Sequence, residues 1–222
     1  MLHAAIFDFD GVVVDSEPIH LACFRQVLAR RGIELATEDY YGKYLGFDDH
    51  DCFAAVLADN GREVDEAEIA AMTAEKTALV KRAIAESIQP LPGAVELMRA
   101  VRAARAGLAI CSGALREEIE LAARTVGVLE LVDVLVAAKD VAKGKPDPEG
   151  YLLTLKLLRE KLARPIDPAR TWVIEDAPAG IAAARAAGCK VLAVTNSYPS
   201  RALAQADRIV DSLAEVDLYD LG

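Results

Sequence analysis

Ala4-Ala5-Ile6-Phe7-Asp8-Phe9-Asp10-Gly11-Val12-Val13-Val14-Asp15-Ser16 is the stretch from which the fold of this 222-residue chain is read. Residues 4–9 form a short β-rich run that ends among carboxylates, and Gly11 then allows a tight backbone passage. Similar runs recur at 108–112, 134–137, 171–175 and 190–194, with a short sixth at 208–210. Helical stretches separate them: 94–105 after Pro92-Gly93, 115–126 before Gly127, 149–162 after Pro148, and 179–187 between Pro178 and Gly188. Pro near helix starts and Gly at helix ends follow the known capping asymmetry. The alternation of strand and helix predicts an α/β fold with a largely parallel sheet.

One region breaks this rhythm. No strand is expected from about Ser16 to about Ser87, where the pattern predicts helices over 18–31, 49–59 and 65–86 and a short one within 37–44. This reads as a helical cap, residues 16–88, inserted after the first strand of a core made of residues 1–15 and 89–222. Gln89-Pro90-Leu91-Pro92-Gly93 has linker chemistry and marks the return.

Composition narrows the classes. Hydrophobic residues make up 53% of the chain, far too many for disorder, and apolar runs such as Gly11-Val12-Val13-Val14 are far too short to span a membrane. No leader is expected, so the chain reads as cytoplasmic. The formal charge of −10 repels nucleic acid and anionic lipid. It does not exclude an anionic metabolite, because a metal ion and a lysine can reverse the local field. Cys23, Cys52, Cys111 and Cys189 are scattered and read as reduced, mostly buried thiols. A monomer or weak dimer is expected.

In open parallel sheets, ligands bind at the carboxyl ends of the strands. The first predicted strand ends in Asp8-Phe9-Asp10-Gly11, the second in Ser112-Gly113, and the fourth in Glu175-Asp176. The loop after the third holds Lys143-Gly144-Lys145-Pro146. Each end presents polar groups suited to a phosphate and a divalent cation.

With Ala177-Pro178-Ala179-Gly180-Ile181 continuing the last motif, these segments resemble the haloacid dehalogenase-like superfamily, in its branch with a helical cap after the first strand. The resemblance covers nearly the whole chain. It implies a Rossmann-like core, phosphoryl transfer through an aspartyl-phosphate, and Mg2+ as cofactor.

Asp8 and Asp10, two apart on a strand, are expected on one face. Asp8 reads as the nucleophile, with a lone metal ligand or a strand-end cap as its alternatives. Asp10 reads as general acid and base, and the resemblance assigns its backbone carbonyl to the metal. The true dehalogenases of the superfamily lack an aspartate here, since a halide needs no proton to leave. Ser112, Gly113 and Lys145 are the candidate phosphate-binding groups; a serine at a strand end is otherwise a helix cap. Lys145 is chosen over Lys143 because it directly precedes Pro146, as in the family pattern. Asp8, Asp10, Glu175 and Asp176 are the candidate metal set. Glu175 acts either directly or through water, and Asp176 is a ligand, a helix N-cap, or both.

Within the superfamily the chain resembles β-phosphoglucomutase-like proteins and their phosphatase relatives. His20 and Lys76 sit where the mutases carry a cap histidine and lysine. His20 reads equally as a satisfied core residue, and Lys76, on a charged helix, as solvated. The mutases carry a cap-loop arginine for a second phosphate, whereas Gly46-Phe47-Asp48-Asp49-His50-Asp51 holds three aspartates and no arginine. A second dianion there would need Arg116 or Lys76. Hydrolysis of a small phosphate monoester, such as a sugar phosphate, is therefore preferred over mutase action. A non-catalytic phosphometabolite-binding module is the third reading.

Overall fold

A computed structural model describes residues 1–45 and 47–221, so Gly46 of the aspartate-rich loop lies outside the described residues. The chain divides into two compact units, Met1–Asp15 with Ile88–Gly222, and Ser16–Ser87.

The first unit is built on a six-stranded sheet. Its strands are β1 (Ala4–Phe7), β2 (Gly107–Cys111), β3 (Val134–Val136), β4 (Thr171–Glu175), β5 (Lys190–Val194) and β6 (Arg208–Val210). They lie in the order β3-β2-β1-β4-β5-β6, and every pairing is parallel. This Rossmann-like order reverses its direction of growth between β1 and β4, which opens a crevice at the carboxyl ends of those strands. All residues of β1, β2 and β4 are buried, which is why these strands read as continuous apolar runs. Phe7 stands opposite Ile110 on one side and Ile174 on the other. The register therefore brings the residues just past Phe7 level with the end of β4, and the Asp8 amide donates to the Ile174 carbonyl at 2.9 Å.

The second unit is all helical: α1 (Glu17–Ala29), the short α2 (Thr37–Asp39), which runs into a π-helical turn (Tyr40–Tyr44), α3 (Asp49–Asp59) and α4 (Glu66–Ser87). It has a core of its own, with Phe24, Val27, Leu28, Phe53, Val56, Ile69 and Met72 buried together. The main unit adds α5 (Ala94–Ala103), α6 (Arg116–Thr125), α7 (Glu149–Leu162) and α8 (Pro178–Ala186). Tyr151, Leu155 and Leu158 of α7 and Ile181, Ala183 and Ala184 of α8 bury one face of the sheet, against Ala4, Ile6, Ala109, Val173 and Val191.

One expectation is corrected. β1 stops at Phe7, so Asp8 and Asp10 are not both strand residues sharing a face. The chain turns instead: Val13 donates from its amide to the Phe9 carbonyl at 2.8 Å, and Gly11 donates to the Val14 carbonyl at 2.7 Å. Gly11 has a φ of +77°, a conformation that glycine adopts at little cost. Beyond this turn the chain is stitched to its own return, with Val14 bridged antiparallel to Pro90 and the Leu91 amide donating to the Val13 carbonyl at 2.8 Å.

Candidate functional site

The ends of β1 and β4 and the loop before α7 bring three groups of the predicted site into direct contact. The Lys145 ammonium donates to Asp8 Oδ1 at 2.5 Å and to Glu175 Oε1 at 2.7 Å. Glu175 is fully buried and takes two further kinds of donor. The Tyr151 hydroxyl reaches Oε1 at 2.9 Å, and the amides of Asp176 and Ala177 reach Oε2 at 3.0 Å. Tyr151 lies on the first turn of α7, with its ring 5.2 Å from the ammonium. Gly180, in the first turn of α8, leaves room for Glu175: a Cβ there would fall 1.6 Å from its carboxylate.

Asp176 completes the cluster. Asp8, Glu175 and Asp176 each offer an oxygen within 4.8 Å of the others. Asp176 is not the N-cap of α8; that position is Ala177. Its Oδ2 instead accepts from the Ser197 hydroxyl, in the loop after β5. The neighbouring Asn196 donates from Nδ2 to the Gly11 carbonyl at 2.7 Å. A Cβ on Gly11 would lie 1.9 Å from Asp176 Oδ2, so glycine is required by the close approach as well as by φ. Asp10 sits in the turn itself, bridged to Val14.

The charges here do not balance: three carboxylates face one ammonium. Burial pushes the Asp8 carboxyl up to about 8, with Lys145 pulling it down and Glu175 and Asp176 pushing it further up. Burial likewise pushes Asp176 up to about 6, while the Ser197 hydrogen bond opposes the shift. Burial alone would lower Lys145, but Asp8 and Glu175 hold its ammonium well above the ordinary lysine range.

Ser112 and Gly113 line a cavity of about 280 Å³ together with Lys145 and Tyr151. Ser112 Oγ accepts the Ala114 amide at 3.1 Å, which orients the hydroxyl. Lys143 points away, to an exposed ion pair with Asp147 at 3.7 Å. Arg116 starts α6 of the main unit and so is not a residue of the helical unit. It donates to Asp140 at 2.6 Å and to the Leu135 carbonyl at 2.9 Å, clamping the loop after β3.

Lys76 overturns its expected solvation. It is 1% exposed, and its ammonium pairs with Asp49, donates to His20 Nδ1 at 2.8 Å and lies 4.2 Å from the centre of the Phe24 ring. Burial, and then Lys76, hold the His20 imidazole down at about 4, against a smaller upward pull from Asp49. Two of the three expected loop aspartates, Asp49 and Asp51, lie in the first turn of α3, and the aspartates here also have local partners. Asp48 caps α3 by accepting the Asp51 amide at 2.8 Å, and Asp51 lies 3.2 Å from His50.

Tyr151, Asn196 and Ser197 were not anticipated. Asn196 and Ser197 follow β5 with only Thr195 between, so the strand-end rule that points to the other groups reaches them one strand further on. Tyr151 carries no such mark, because an aromatic in the first turn of a helix ordinarily reads as core.

The comparisons with known proteins follow the same outline. A family model described as haloacid dehalogenase-like hydrolase matches residues 2–188. The chain is 33% identical over 223 residues to validoxylamine A 7'-phosphate phosphatase from Streptomyces hygroscopicus subsp. limoneus, covering 100% of this chain and 99% of that one. It is 32% identical to hexitol phosphatase A from Escherichia coli, covering 95% of this chain and 91% of that one. Among solved structures, a putative beta-phosphoglucomutase from Thermotoga maritima superposes with a TM-score of 0.82 at 28% identity, covering 96% of each chain.

Proposed function

The chain belongs to the haloacid dehalogenase-like hydrolase family and is a phosphoric monoester hydrolase; from that premise we propose that it removes phosphate from a small sugar phosphate or polyol phosphate through a phosphoaspartate on Asp8, with Mg2+ as cofactor. The observation that carries the proposal is the Lys145 ammonium, 2.5 Å from Asp8 and 2.7 Å from Glu175, in a cluster that Asp176 joins.

The donor set fits a hard divalent cation, since it is all carboxylate oxygen and short of positive charge. Asp8, Glu175 and Asp176 would hold the ion, with the backbone carbonyl of Asp10 as the further donor that the family resemblance implies. When bound, Mg2+ offsets the negative charge that otherwise keeps Asp8 and a phosphoryl group apart.

The chain's own groups carry the rest. Lys145 and the Ser112 hydroxyl, with the amides near Gly113, hold the phosphoryl oxygens. Asp8 attacks phosphorus, the bond to the alkoxide oxygen breaks, and Asp10 gives that oxygen its proton. Water then attacks the phosphoaspartate and passes a proton to Asp10. The bond between phosphorus and Asp8 breaks, releasing inorganic phosphate.

In this reading residues 1–15 and 89–222 do the chemistry and the cap, residues 16–88, selects the substrate. Lys76 is committed to Asp49, and Arg116 to Asp140, so neither stands ready for the second phosphate that a mutase intermediate carries. This supports hydrolysis over mutase action. The test is a phosphate-release assay across a panel of sugar phosphates, with Mg2+ and after chelation. Release that requires the cation is expected. Conversion to an isomer without free phosphate would instead establish a mutase, and binding without turnover a non-catalytic module.

A further inference from the structure

We propose that the loop after β5 is a positioning element for the cation site, in which Ser197 fixes Asp176 and Asn196 fixes the turn that follows Asp8. The inference rests on reading the Asp8, Glu175 and Asp176 cluster as a site for a divalent cation.

A cation held by groups from two strands needs those groups at a set spacing. Across the gap from β1 to β4, the sheet ladder reaches only as far as the Asp8 amide and the Ile174 carbonyl. Past that bond the chain turns away through Phe9–Val14, and among the described residues the β1–β4 ladder does not continue into this turn. Asn196 and Ser197 supply the tie from outside both strands. Asn196 Nδ2 holds the Gly11 carbonyl at 2.7 Å, and the Ser197 hydroxyl holds Asp176 Oδ2. The two residues are adjacent, so one short loop sets both positions at once. The closeness of the assembly shows at Gly11, where a Cβ would lie 1.9 Å from Asp176 Oδ2 and 2.8 Å from Ser197 Oγ.

The loop has a fixed base. The Thr195 amide donates to the Val210 carbonyl at 3.1 Å, and its hydroxyl donates to Asp211 Oδ1 at 2.8 Å. A carboxylate turns about its last bond, and a hydrogen bond to one oxygen stops that rotation, leaving the group oriented before the ion arrives. Partners of this kind behind metal ligands typically contribute about 10–100-fold in metal affinity.

The experiment is a titration of the whole substrate-free chain with Mn2+, read by the electron paramagnetic resonance of the free ion. Ser197→Ala and Asn196→Ala should each weaken binding by about tenfold or more. Ser197→Thr, which keeps the hydroxyl, should restore it, and melting temperatures without metal should match the parent. Alanine variants that bind Mn2+ within twofold of the parent would overturn this inference alone. A parent that binds no Mn2+ would remove the cation reading and this inference together, a result that Asp176→Asn serves to calibrate.

Discussion

Lys145 and Lys76 are both drawn out of bulk solvent and both bonded to a carboxylate, but the charges around them sum differently. Lys145 faces Asp8 and Glu175, with Asp176 in the same cluster. Lys76 faces Asp49 and an imidazole that burial keeps neutral, over the ring of Phe24. The first cluster is left with excess negative charge, the second with none. Uncompensated charge inside a protein is costly unless something arrives to offset it, which is why the proposed function places its cation and charged substrate at the unbalanced cluster. The balanced one is a lock that holds α1, α3 and α4 together.

That contrast can be broken in several places. Asp8→Asn should lower kcat for phosphate release by about 10⁴-fold or more, and Asp10→Asn by about 10²–10⁴-fold. Ordinary steady-state rates in Asp8→Asn would end the nucleophile assignment. Lys145→Met should lower kcat/KM by about 10²–10³-fold, since it deletes the ammonium that Asp8 and Glu175 share. The same change at Lys76 should leave divalent-cation affinity alone and register in denaturant unfolding, as a loss on the order of 2 kcal/mol. The Asp49 side chain left behind is 30% exposed and so regains water, which keeps the loss below that of a fully buried orphan. A large fall in cation affinity in Lys76→Met would erase the distinction between the clusters.

The smallest effect concerns pH. His20 is held at about 4 in the folded chain, against an ordinary value of 6.5, so the unfolded chain binds the extra proton as the pH falls through that window. Stability should therefore be complete above 6.5 and decline toward 4, by on the order of 1 kcal/mol between pH 7 and pH 5. The parent should lose more over that interval than His20→Gln, in which this titration is absent. Equal losses would show that His20 is not held neutral.

Most of the main unit was legible because a parallel sheet buried on both faces writes itself as short apolar runs, and the clustered charged groups lie where those runs stop. Glu175 and Asp176 were found by that rule. Lys76 was misread because charge pattern was given more weight than register. The buried side of α4 runs Ile69, Met72, Lys76, Val80, Ile84, and the lysine falls on that apolar stripe at helical spacing. The Ser197 contact could be suspected from its place after β5, but not its partner, because a loop's direction depends on packing that no local pattern records. Gly180 stood in plain view within the last motif. Its reason, the carboxylate of Glu175 lying where a side chain would go, exists only in three dimensions.

The antiparallel stitch of Val13 and Val14 to Pro90 and Leu91 has a consequence for how such a chain can change. The two crossings that bracket the helical unit leave the sheet side by side, so a link of a few residues between them would close the gap. Everything from Ser16 to Ser87 is therefore an exchangeable cassette. It can be lengthened, shortened or replaced without shifting the register of a single strand, because every strand of the sheet belongs to the other unit.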